Sequence, residues 1–244
     1  MAWTFVAAGA ATTRGGSSPI TNWTIPLPAG AAVGDLLVLQ IQTFGVNASP
    51  PVPQNPTDWT QVALITNGGT SNHRHYYGYR EFTTGTANPV VSFTGTGTTG
   101  NAGDSYTART LAFRPGAGFT WEIDVIGTES TNASANSIGP ATGITPTTLS
   151  GGASSLVVGS FGKPNDFLSG GTAPTNYTGL LTETTTGSDA SCYFIRRLDA
   201  PQTATGNLTV TDTGQPGVGA SILTSFKEVA VVVADGGRSY GIII

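Results

Sequence analysis

Both histidines of the chain stand in one short stretch, SNHRHYYGYRE at positions 71–81. On an extended strand His73, His75, Tyr77, Tyr79 and Glu81 share one face, while Arg74, Tyr76, Arg80 and Phe82 share the other. A His-x-His pair can hold a metal ion, but a site needs a third Cys, His, Asp or Glu ligand. With no further histidine, a carboxylate from elsewhere in the chain would have to supply it. The plainer expectation is a strand end facing solvent beside a loop, with no metal and no cofactor. The residues His73, His75, Tyr76, Tyr77 and Tyr79 could also form a contact surface for a glycan or a protein partner. Tyrosine rings stack on the apolar faces of sugars, and the imidazoles can meet hydroxyls. Core or interface packing is the alternative use for the same side chains.

Catalytic constellations are harder to find. A glycosidase needs two carboxylates roughly 5–10 Å apart. The acids here (Asp35, Asp58, Glu81, Asp104, Glu122, Asp124, Glu129, Asp166 and Glu183 among them) are scattered, mostly in turns. WEID would put Glu122 and Asp124 on one strand face. A Ser-His-Asp triad would have to recruit His73 or His75, and no nucleophile-elbow pattern is present. GTGTTG lacks the lysine and following helix of a phosphate loop, and no turn matches a calcium loop. The single cysteine, Cys192 in SCYFIRR, reads as a buried structural thiol. Ten basic residues, only Lys163 and Lys227 being lysines, do not cluster as a nucleic-acid groove requires. The chain is therefore expected to be no enzyme and no nucleic-acid binder.

The elements that must position these residues are strands. The chain of 244 residues holds 34 glycines and 15 prolines, and only 10% of it is charged. Period-2 runs and short apolar bursts alternate with turn clusters such as NGGT and DTGQPG. The expected class is all-β: an antiparallel, jelly-roll-like β-sandwich. The series is also written twice. NPTDWTQVAL answers APTNYTGLLT, aligning Pro56, Thr57, Asp58, Trp59 and Thr60 with Pro174, Thr175, Asn176, Tyr177 and Thr178. GDLLVLQI answers SSLVVGSF with Leu36 opposite Leu156, and Pro26 lies opposite Pro146. YYGYREF answers YFIRRLD, NPVVSFT answers GNLTVTD, and RTLAFRP answers ILTSFKE with Phe113 opposite Phe226. Residues 1–115 and 119–228 are thus read as two sequence-similar halves, packed as one compact unit with pseudo-twofold character. DLLVLQI, apolar on both faces, should be a central covered strand, and Trp59 and Tyr177 should plug the core edge.

Residues 229–244 have no counterpart in the first half and are read as a C-terminal extension. Val231, Val232 and Val233 would prolong the last strand, and Asp235-Gly236-Gly237 would turn. Tyr240, Ile242, Ile243 and Ile244 then need an apolar seat, on this chain's own core or, as the expected subunit contact, on a neighbour. The N-terminus shows no basic region ahead of a long apolar run, so no signal peptide is expected. No stretch approaches the roughly 18 apolar residues of a membrane helix.

LPAGAAVGDLLVLQI, a proline turn into Trp-Thr, YYGYREF, and a second copy closing on an alternating strand together resemble a β-sandwich family. That family is known from bacteriophage structural proteins and phage-derived bacterial reading frames. The resemblance covers residues 20–228 and lies in turn and core motifs. The family's turn reads Pro-x-Gly-Trp, and Asp58 stands here in the glycine's place. What it implies is a virion protein made in the host cytoplasm: a decoration, spike or fibre-associated subunit whose partners are other virion proteins or copies of itself. The rival expectation is a carbohydrate-binding adhesion module that recognises host-surface glycans.

Overall fold

A computed structural model describes residues 3–15, 21–45, 51–67, 73–94, 105–134, 137–164, 170–183, 190–212 and 217–231. Every regular element among them is a strand. The first half supplies β1 (Thr4–Ala8), β2 (Thr12–Gly15), β3 (Asn22–Thr24), β4 (Leu36–Phe44), β5 (Val52–Pro53), β6 (Thr60–Asn67), β7 (His73–Glu81), β8 (Val90–Thr94) and β9 (Ser105–Arg114). The second supplies β10 (Phe119–Ile126), β11 (Ser130–Ser134), β12 (Ser137–Ala141), β13 (Ser155–Lys163), β14 (Thr178–Glu183), β15 (Ser191–Ala200), β16 (Leu208–Thr211) and β17 (Gly217–Ala230).

Each half forms one wide antiparallel sheet and one small outer sheet. The wide sheets run β1-β9-β4-β7-β6, with β2 also on β9, and β10-β17-β13-β15-β14, with β11 also on β17. The outer sheets are β3-β8-β5 and β12-β16, the latter extended by a bridge between Thr172 and Thr211. In the first half β1, β9, β4 and β7 against β3, β8 and β5 follow a jelly-roll winding, with β6 carried to the free edge of β7. The two halves therefore share one strand order. They also share a register: Leu36 opposes Phe113 where β4 meets β9, and Leu156 opposes Phe226 where β13 meets β17.

Burial explains the order. The β4 strand LLVLQIQTF is buried along almost its whole length because it has sheet neighbours on both sides and layers on both faces. On one face Leu37, Leu39 and Ile41 meet Trp23, Ile25, Val91 and Phe93 of the outer region, with Trp59 closing the edge. On the other face Leu36 and Val38 meet Leu156, Val158, Ile222 and Phe226 of the second wide sheet. A third cluster, with Phe161, Ile195 and Leu223 against Ile138, Leu208 and Val210, fills the second half, and Tyr177 packs at its margin. The order of layers is outer, wide, wide, outer.

The contacts across the central layer are reciprocal. β6 lies against β17 and β11, while β14 lies against β9 and β2; β7 meets β13, and β15 meets β4. Reciprocal pairing of this kind characterises a twofold, self-complementary interface, here built inside one chain. The short link at residues 115–118 is held at the seam by Glu228, which is buried and accepts from Gly116 N (2.6 Å), Ser154 N (2.8 Å) and Ser154 Oγ (2.9 Å).

The aligned turns behave alike. Asp58 and Asn176 both adopt the left-handed region, with φ of 63° and 70°. The turns close through Trp59 N to Pro56 O and Tyr177 N to Pro174 O. The last described strand ends at Ala230, and Val231 N donates to Gly118 O beyond it. Val232 and Val233, with Tyr240, Ile242, Ile243 and Ile244, lie outside the described residues.

Candidate functional site

The His/Tyr stretch is β7, held between β4 and β6. Its alternation is as the sequence implies, but both faces are covered. His73, His75, Tyr76 and Tyr77 are all fully buried. Tyr76 turns to the outer layer and donates its hydroxyl to Asn55 Oδ1 at 2.7 Å. Tyr77 enters the layer between the wide sheets. Tyr79 is half-buried there, edge-on to Trp121 (5.9 Å) and Phe226 (5.5 Å). This corrects the expectation of a solvent-facing strand end and of an open aromatic platform. The second wide sheet covers the face that the sequence left without a partner.

His75 is the centre of a polar array. Its Nδ1 lies 3.0 Å from Gln42 Oε1 and its Nε2 lies 2.8 Å from Ser160 Oγ. Gln42 Oε1 can only accept, so Nδ1 carries the proton and Nε2 accepts from the serine. The chain Ser160–His75–Gln42 thus has the connectivity of a nucleophile, a base and an orienting group. Two facts argue against that use. Ser160 and His75 are fully buried and line none of the described surface depressions. Burial first, and His73 second, also push the His75 imidazole from 6.5 down to about 3, whereas a general base works best near the operating pH.

The array extends along the seam between the halves. Gln40 Nε2 donates to Phe161 O at 2.6 Å. Arg109 Nη1 donates to Leu181 O (3.3 Å), and Arg109 Nε to Gly9 O (2.9 Å). Gly162 faces the pair formed by His75 and Gln42 so closely that a Cβ would overlap Gln42 Oε1 and His75 Nδ1. One end of the central layer is therefore aromatic and aliphatic, around Trp3, Phe113 and Phe226, and the other is polar. Cys192 is buried with its thiol pushed well up by desolvation, and so is not a nucleophile at neutral pH.

The remaining candidates separate. A β-bulge falls at Asp124, between Ile123 and Val125, and breaks the alternation expected for WEID. Asp124 accepts from Thr147 N (2.9 Å) and Ser225 Oγ (3.0 Å), whereas exposed Glu122 faces Lys227 at 3.7 Å. Among the described residues no group of three His, Cys, Asp or Glu gathers as metal ligands. Surface depressions are shallow; one is lined by Asp58, Arg80, Thr83 and Asn88, another by Phe5, Asn176, Arg196 and Arg197. In the second, the Arg196 guanidinium lies 3.9 Å from the Phe5 ring centre, tying β15 to β1.

Sequence reasoning passed over Gln40, Gln42, Ser160 and Gly162. The signal was present: polar or small residues interrupt both central strands at aligned positions, Gln40 with Ser160 and Gln42 with Gly162. No family model, no curated protein and no solved structure matches this chain.

Proposed function

We propose that the chain is a non-enzymatic structural subunit that works through subunit–subunit contacts, as a decoration, spike or fibre-associated protein of a phage-like particle. The observation that carries the non-enzymatic part is the sealing of the chemically capable residues. His75 bonds Gln42 of its own half and Ser160 of the other, and these three residues and His73 are buried away from solvent. Contact surface is available instead at the sheet edges. Among the described residues β6 and β14 each pair on one side only. β6, TQVALITN, carries neither charge nor proline, the devices that discourage edge-to-edge pairing. An extended apolar segment from another copy can add to such an edge, and Tyr240 with Ile242, Ile243 and Ile244 forms such a segment in sequence. The phage-like setting rests on the resemblance of the turn and core motifs.

The test is the mass in solution of the full chain and of a chain ending at Ala234. The full chain is expected to assemble, and the shortened one to remain folded as a smaller species. A full chain that stays monomeric and binds no particle or partner would refute the proposal.

A further inference from the structure

Lys163 and Asp212 form a direct ion pair while being only 3% and 2% exposed. Lys163 closes β13 in the wide sheet, two residues after Phe161. Asp212 follows β16 of the outer sheet, two residues after Val210. Phe161 and Val210 belong to one apolar cluster, so the alternation aims Lys163 and Asp212 at each other at the rim of that cluster. Directly opposite Lys163 in β15 is Ser191, itself fully buried.

Stability does not account for the pair. A buried ion pair is at best weakly favourable, and apolar residues of similar volume often serve as well or better. The fold does not require it either. The aligned positions of the first half hold Thr43 and Thr94, and Thr43 simply donates its hydroxyl to Pro51 O at 2.8 Å. A lysine amine and a carboxyl held in contact and shielded from water are the reactants of an amide bond.

We propose that Lys163 and Asp212 join in an intramolecular isopeptide bond that staples the outer sheet of the second half to its wide sheet. In the step, a proton passes from the Nζ ammonium to the Asp212 carboxylate. The neutral amine attacks the Asp212 carbonyl carbon, forming the N–C bond. The C–OH bond breaks, and the departing oxygen leaves as one water with the two protons lost by Nζ. No oxidant, cofactor or co-reactant is needed, and exclusion of solvent favours the condensed product. A covalent staple of this kind suits a subunit under mechanical or surface stress, and the chain has only one cysteine with which to make a disulfide.

Denaturing intact-mass measurement of the purified full chain tests this directly. The expected mass is lower than that of the sequence by one water, about 18 Da. Chymotryptic digestion should give residues 162–167 joined to residues 209–223. Lys163→Arg and Asp212→Ala chains should keep their full sequence mass, whether or not they fold as well. A wild-type chain at full sequence mass overturns the proposal. So does a lost water mapping to other fragments, or one that persists in Lys163→Arg.

Discussion

Lowering the pH should loosen the seam between the halves through His75. The imidazole is fully buried, neutral, and bonded at both nitrogens. In the unfolded chain it takes a proton near 6.5, but in the folded chain only near 3. Above pH 6.5 both states hold it neutral, and it adds no pH dependence. Between these values the unfolded state binds the extra proton, so stability falls as pH falls. At about 1.4 kcal/mol per pH unit the loss reaches roughly 3 kcal/mol at pH 4.5, and tends to about 5 kcal/mol near pH 3. For a domain of ordinary stability, about 5–15 kcal/mol, that is a large fraction. His73 on the same strand contributes to the shift and must stay in place in the comparison. The assay is urea unfolding of wild type and His75→Gln from pH 7 to 4, read as the difference between them. Glutamine can keep bonds to Gln42 and Ser160 without a titrating group. Carboxylates elsewhere titrate equally in both proteins and drop out. Wild type should be the more stable at pH 7, and its advantage should shrink and reverse as the pH approaches 4.5. Parallel stability curves over the whole range would refute the account of a sealed, neutral imidazole.

Gly162→Ala should destabilise by about 1–3 kcal/mol, the usual cost of overpacking, because the new methyl overlaps Gln42 and His75; an unchanged urea midpoint would mean that the two halves are not in such close contact there. Asp58→Val should cost about 1–2 kcal/mol for forcing a β-branched residue into the left-handed region at φ 63°, whereas Asp58→Gly should stay within about 1 kcal/mol of wild type. Equal melting temperatures for the valine and glycine chains would show that the turn does not hold that conformation.

The left-handed turn also shows what a one-dimensional pattern can carry. Asp58 sits at φ 63°, a left-handed conformation that favours glycine and, among side-chain-bearing residues, Asp and Asn. Asn176 repeats the conformation in the second half. Such local constraints, together with the unbroken apolar run of β4 and the order of the turns, are properties of neighbouring residues and survive in sequence. The aligned pairs Leu36 with Leu156 and Phe113 with Phe226 go further, since they mark a register that both wide sheets adopt.

What covers a face is a different kind of information. Alternation along β7 says that His75, Tyr77 and Tyr79 point the same way, but it is silent on whether water or another sheet lies there. The answer depends on Ser160, Gly162 and Phe226, more than eighty positions away. A row of histidines and tyrosines that would make a sugar platform in water makes a polar seam when a complementary sheet is laid over it. The complement is legible only in pairs of strands: Gln40 and Gln42 interrupt one central strand where Ser160 and Gly162 interrupt the other. A buried amide opposite a buried glycine or serine leaves room for hydrogen bonds across a twofold-like layer, which two runs of leucine and valine would not need. The polar end of the layer therefore fixes how the halves register on each other, while the aromatic end, around Trp3, Phe113, Trp121 and Phe226, supplies the apolar burial. If that division holds, Gly162→Ala should weaken the register without loosening the aromatic end. Near-ultraviolet circular dichroism would then keep its tryptophan signal at urea concentrations where the amide protons of β13 already exchange.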